Sequence, residues 1–211
     1  MAMVRVKICG ITNSADALAA VDAGANLLGF NFYAISPRHV SEAEAARIRR
    51  QLPKTVDAVG IFVNAPTADV AALCKSLKLD AAQLHGDETA ETVAELAGSV
   101  PVVKAFRVDP DFDLKILNDY PGAFAFLFDA ALTGQYGGTG RTTDWDAARR
   151  AAVRHRIILA GGLKVENVAA AVRIVRPYGI DVASGVESKP GKKDHGRLRE
   201  FIQEVRRGER K

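Results

Sequence analysis

A cysteine, an aspartate and two glycine-bearing turns are the residues of this chain best suited to chemistry. Cys9 ends an apolar run, VRVKIC, and Gly10 follows at once. Most free cysteines are small buried hydrophobes. Cys9, however, lies one pleat beyond Lys7 on the same side of a strand. An ammonium that close lowers a thiol pKa from about 8.5 toward neutrality, where the thiolate can act as a base. Asp129 ends the run AFAFLFDA. Acids are seldom buried without a partner, and a carboxyl in an apolar setting keeps its proton until a reacting group takes it. Two further runs, RIILAGGL over 156–163 and GIDVASGVE over 179–187, pass from apolar residues to bare backbone and on to helical pattern. That is the form of a phosphate handle after the last two strands of an eightfold β/α barrel, with Gly161, Gly162, Ser184 and Gly185 as the cradle.

The elements that must position these groups alternate from end to end. Apolar strand-like runs fall at 4–9, 27–32, 56–63, 81–85, 102–107, 124–129, 157–160 and 179–183. Helical pattern falls near 14–23, 41–51, 67–78, 89–97, 110–118, 144–153, 165–175 and 192–206. Eight β/α units without a low-complexity linker predict a closed parallel TIM barrel, one domain over 1–211, rather than a doubly wound sheet. Barrel strands point alternate residues inward. Val4, Val6 and Ile8 then face the helices, leaving Arg5, Lys7 and Cys9 inside. Phe124, Phe126 and Phe128 face outward, leaving Ala125, Leu127 and Asp129 inside, and Gln83 and His85 share the inner face of the fourth strand.

Bulk properties narrow the function. The 211 residues suit one barrel, and 48% hydrophobic with 26% charged is ordinary for a soluble globular protein. No apolar run approaches the roughly 20 residues that span a bilayer, and the first residues show no signal-peptide pattern, so no membrane association is expected. Two cysteines give no disulfide framework and favour a reducing cytosol. Much of the net charge of +4 sits in the terminal VRRGERK, which reads as a solvated tail. No basic face with aromatic platforms marks a nucleic-acid binder. His39, His85, His155 and His195 are scattered without metal-ligand spacing, so no metal is expected.

Other polar residues are candidates for supporting roles. Asp181 points inward from the eighth strand, beside the first, and suits pairing with Lys7 or Arg5. His85 in QLHGDE reads equally as a satisfied polar residue or as pocket lining. Arg38, in YAISPRHVS, follows the stiffening Pro37, and a guanidinium can hold a carboxylate by two parallel bonds. The glycine-rich GQYGGTGRTTDW after the sixth strand suits a lid. It lacks GxxxxGK[ST] spacing, so nucleotide binding is not indicated.

Taken together, VKICGIT, GFNFYAISPRHVS, GIFVN, QLHGDE, YGGTGRTTDW, LAGGL with ENV, and DVASGVESKPGKKDH, in this order, make the chain resemble the phosphoribosylanthranilate isomerase family of tryptophan biosynthesis over nearly its whole length. The resemblance implies a TIM barrel and an Amadori rearrangement of N-(5-phosphoribosyl)anthranilate, with no cofactor. It implies Cys9 as general base, Asp129 as general acid, Arg38 at the anthranilate carboxylate, and Gly161, Gly162, Ser184 and Gly185 at the phosphate. Lys7, Asp181, Gln83 and His85 fall into supporting roles, Asp181 near the reaction centre. The expected partner is a small phosphorylated substrate, and association with neighbouring tryptophan-pathway enzymes is compatible with the length. Lys164-Val165 replaces a common Asn-Pro, Ala183 a frequent serine and Arg141 a common lysine; these bear on loop contacts and leave the acid and base untouched. The nearest alternative is the histidine-pathway aminosugar phosphate isomerase. That family is expected to end its first strand with an aspartate, and Cys9 argues against it. A non-catalytic phosphate-binding barrel is the other.

Overall fold

The computed structural model describes residues 3–109, 111–130 and 144–210. Eight parallel strands close into a barrel in chain order. They are β1 (Arg5–Cys9), β2 (Leu27–Asn31), β3 (Asp57–Phe62), β4 (Ala81–Leu84), β5 (Val102–Val108), β6 (Ala125–Ala130), β7 (Ile157–Leu159) and β8 (Gly179–Val182). Closure is a direct β1–β8 pairing, Arg5 opposite Gly179 and Lys7 opposite Asp181. Strands buried on both faces need apolar residues on both, which explains their near-continuous Val, Ile, Leu and Phe content.

The outer ring contains α1 (Ser14–Asp22), α2 (Glu42–Arg49), α3 (Thr67–Leu77), α4 (Ala90–Ala97), α5 (Trp145–Ala151), α6 (Val165–Val175) and α7 (His195–Glu209). Local chemistry sets several starts. Asn13, Ser41, Thr89, Asp144 and Asp194 each accept a backbone N–H from the first turn of the helix that follows.

Two expected helices differ. Over 110–118 the described residues hold a 3-10 helix, Leu114–Asp119, begun by Asp113 accepting from Lys115 N–H. The segment is short and acidic and runs into Tyr120-Pro121, so it lacks the length for a stable α-helix. The first residues of the expected 192–206 helix instead form a small antiparallel hairpin, β9 (Glu187–Lys189) with β10 (Lys192–Lys193). Pro190-Gly191 supplies its turn, with Gly191 at φ +78.

The inward–outward alternation holds. Val4, Val6, Ile8, Phe126 and Phe128 join the layer between barrel and helices. Inside the barrel are two apolar clusters, Leu27 with Val59 and Ala81, and Val103 with Ala105, Ala125, Leu127, Ile158 and Ala160. Polar side chains from β1, β4 and β8 meet alongside them. Among the described residues no helix is long and apolar enough to cross a membrane.

Candidate active site

Lys7 is 1% exposed, and a buried ammonium must spend its three donors on partners. Its Nζ donates to Gln83 Oε1 at 2.8 Å and to Asp181 Oδ1 at 3.0 Å. Asp181 therefore pairs with Lys7, while Arg5 takes Asp57 at 2.6 Å. Because Gln83 presents its oxygen to Lys7, its amide N–H faces His85 Nδ1, 2.8 Å away. That leaves the His85 proton on Nε2, 3.5 Å from Asp129 Oδ2. The result is a polar chain, Asp181–Lys7–Gln83–His85–Asp129, running across the barrel from β8 to β6. His85 thus has a polar group facing each ring nitrogen.

Cys9 sits at the C-terminal end of β1, one pleat beyond Lys7. Gly29 on β2 lies opposite it, and a Cβ there would come 3.1 Å from Sγ. The expectation that Lys7 draws the thiol toward neutrality is corrected. Burial pushes the Cys9 thiol above its ordinary value, Asp181 adds to the push, and Lys7 and Lys193 offset only part of it. Lys7 itself, despite burial, is held above the ordinary lysine range by Asp181 and Cys9. Cys74 is a packing residue on α3, its thiol pushed by burial to about 11.

Asp129, 5% exposed, ends β6 on the inner face. Oδ1 accepts the Ala130 N–H at 2.8 Å, and Oδ2 faces His85. Arg107 lies opposite it in the β5–β6 register, and no signal in the sequence had singled that arginine out. A cleft of about 340 Å³ opens on the β4–β5 side of the mouth, lined by His85, Phe106, Arg107 and Tyr120 among others.

The two glycine-bearing turns meet. Gly161 and Gly162 have φ of +78 and +64 just before α6. After β8, Ser184–Val186 form a short 3-10 helix. Gly185 crosses so close that a Cβ would lie 2.0 Å from Leu163 O, so no larger residue fits there. The start of α6 and the short 3-10 helix thus lie side by side after strands seven and eight.

Arg38 lies over Gly10, where a Cβ would come 2.6 Å from its Cδ. Its guanidinium grips Glu187, Nε to Oε1 at 2.9 Å and Nη2 to Oε2 at 2.7 Å. Lys193 Nζ donates to Glu187 Oε1 at 2.8 Å and to Cys9 O at 2.6 Å. The sequence pattern singled out neither Glu187 nor Lys193; a turn-forming Pro-Gly between a Glu and a Lys was the available signal for their pairing. The glycine-rich loop after β6, including Arg141, lies outside the described residues up to Thr143.

A closed parallel β/α barrel that gathers a thiol, a carboxylate and two glycine-bearing turns at its strand ends has the form of a barrel enzyme. Residues 6–204 match the model of the N-(5'phosphoribosyl)anthranilate (PRA) isomerase family. The N-(5'-phosphoribosyl)anthranilate isomerase of Pelobacter propionicus is 50% identical over 200 residues, covering 95% of this chain and 94% of that one. The phosphoribosyl anthranilate isomerase of Thermotoga maritima superposes with a TM-score of 0.90 at 40% identity, covering 97% and 99%. A phosphoribosyl anthranilate isomerase in complex with reduced 1-(o-carboxyphenylamino)-1-deoxyribulose 5-phosphate superposes at 0.87, also 40% identical, covering 97% and 99%. The chain belongs to the phosphoribosylanthranilate isomerase family.

Proposed function

We propose that this chain isomerises N-(5'-phosphoribosyl)anthranilate to 1-(o-carboxyphenylamino)-1-deoxyribulose 5-phosphate, with Asp129 as general acid and Cys9 as general base. The observation that carries the assignment of roles is strand order: the Gly161–Gly162 and Ser184–Gly185 turns follow β7 and β8, with Asp129 on the strand before and Cys9 on the strand after. A substrate pinned by its phosphate then lays its sugar between acid and base, and its carboxylate reaches Arg38 one strand further.

Asp129 gives a proton to the ribose ring oxygen, the ring C–O bond breaks, and the nitrogen lone pair forms the Schiff base. His85 Nε2–H and Ala130 N–H face the carboxylate that results. Cys9 thiolate takes the C2′ proton, and the electron pair flows to the nitrogen, giving an enolamine that tautomerises to the ketone. Water carries the gained proton from thiol to carboxylate, restoring both groups. Lys7 and Lys193 supply the positive charge that favours thiolate inside a pocket whose burial disfavours it.

We read residues 1–211 as one such domain working in a reducing compartment, a reading supported by the free thiols of Cys9 and Cys74. The test is turnover of the purified enzyme and rescue of a tryptophan auxotroph lacking this isomerase. Asp129→Asn and Cys9→Ala should each lower kcat at least about a hundredfold with the fold retained. Near-wild-type turnover in either variant removes that residue from the mechanism.

A further inference from the structure

Arg38 has five N–H donors in a planar fork. Glu187 takes two of them, the Nε–H and one Nη2–H, through the side edge of the guanidinium. The end-on edge, with one Nη1–H and one Nη2–H parallel, is left to other partners, and that edge can hold a second carboxylate by two bonds. Glu187 is itself fixed. Its side chain is 4% exposed, it lies on β9, and Lys193 and the Gly191 N–H also donate to Oε1. Two cations around one carboxylate leave a net positive charge beside Cys9. Burial works against the Arg38 charge, and Glu187, with a smaller contribution from Cys9, more than restores its hold on the proton.

We propose that Glu187 is a positioning residue, which clamps the side edge of Arg38 and so aims its end-on edge at the carboxylate of the substrate. The idea rests on the reading of Arg38 as that carboxylate's partner. A free arginine side chain would lose rotamer freedom on binding; one already clamped loses little, so the clamp raises affinity without touching substrate. Lys193 completes the device. It holds Glu187 from behind and ties the hairpin to the backbone of Cys9 and Ala183. The clamp therefore fixes the distance between the carboxylate-binding edge and the base.

The test measures binding of two probes by calorimetry: reduced 1-(o-carboxyphenylamino)-1-deoxyribulose 5-phosphate and its counterpart lacking the ring carboxyl. Glu187→Gln should weaken the carboxylated probe at least about tenfold and change the carboxyl-free probe less than about twofold. In the Arg38→Ala background, Glu187→Gln should add nothing further. In turnover, KM should rise with kcat changed far less. Equal binding of the carboxylated probe by Glu187→Gln and wild type overturns the clamp, as does equal weakening of both probes. If Arg38→Ala itself leaves the carboxylated probe unaffected, the reading of Arg38 fails instead. Glu187→Asp, which keeps the charge but falls one methylene short of the fork, should show the same pattern should the glutamine variant not fold.

Discussion

Lys7→Met separates what the central ion pair does for the fold from what it does for the thiol. The Lys7 and Asp181 side chains are 2% and 9% exposed and 3.0 Å apart. At an effective dielectric near 20, such a pair attracts by about 5 kcal/mol. Removing one partner leaves the other charge buried, which costs about 3–5 kcal/mol. In a chain of this size each kcal/mol lowers Tm by about 2–4 °C, so Lys7→Met should melt about 6–20 °C below wild type. Adding Asp181→Asn removes the stranded charge and should recover more than half of that loss. The thiol should not recover in parallel. Lys7 lowers the Cys9 value more than Asp181 raises it, so both variants should alkylate Cys9 with iodoacetamide more slowly than wild type at one pH. Alkylation is followed by peptide mapping well below each Tm, which also distinguishes Cys74. A Lys7→Met protein that melts within about 2 °C of wild type refutes the energetic argument. One that alkylates Cys9 as fast as wild type refutes the electrostatic one.

Two other perturbations follow from the geometry. Gly185→Ala must part the turns after β7 and β8, since the added methyl would meet Leu163 O at 2.0 Å. Overpacking of that kind costs about 1–3 kcal/mol, and KM for the phosphorylated substrate should rise about tenfold or more; an unchanged KM places the phosphate elsewhere. Asp16 is held below its ordinary value of 3.8, because the Lys193 N–H and His195 outweigh burial. A lowered folded value gives stability that is full above the ordinary value and lost as pH falls through the folded one. Thermal melts of wild type should therefore drop more steeply below about pH 4 than those of Asp16→Asn, and parallel curves would show that Asp16 contributes no such linkage.

The barrel was legible because its strands are short alternating runs whose two faces differ. The phenylalanines of 124–128 against Ala125, Leu127 and Asp129 fixed which way β6 points, and the same alternation put Lys7 and Cys9 inside. From there Asp181, on the strand that closes the barrel against β1, suited pairing with Lys7 or Arg5, and the structure gives it Lys7. What escaped was set by irregular backbone and by competing magnitudes. Glu187 and Lys193 lie in a hairpin of five strand residues, too short for any periodicity, and there a lysine is buried at the start of a stretch that otherwise reads as helix. The direction of the Cys9 shift escaped because a sequence shows the neighbouring ammonium but not the depth of burial that outweighs it.

The contacts that bind Lys193 to the Cys9 carbonyl and Lys7 to Asp181 span 184 and 174 positions of chain. Lys7 is made beside Cys9, whereas Asp181 and Lys193 are made long after it. Until Lys193 has left the ribosome, the cysteine has Lys7 beside it in sequence but neither the pocket nor the second ammonium of the folded site. The nascent chain therefore carries a solvated thiol for most of its synthesis, and the buried surroundings that push its pKa up are complete only when the β9–β10 hairpin docks. Contacts of such sequence separation also form late in folding, because loop closure precedes their reward. The pairing that closes the barrel and the contact that holds Lys193 at Cys9 join the same two distant stretches of chain.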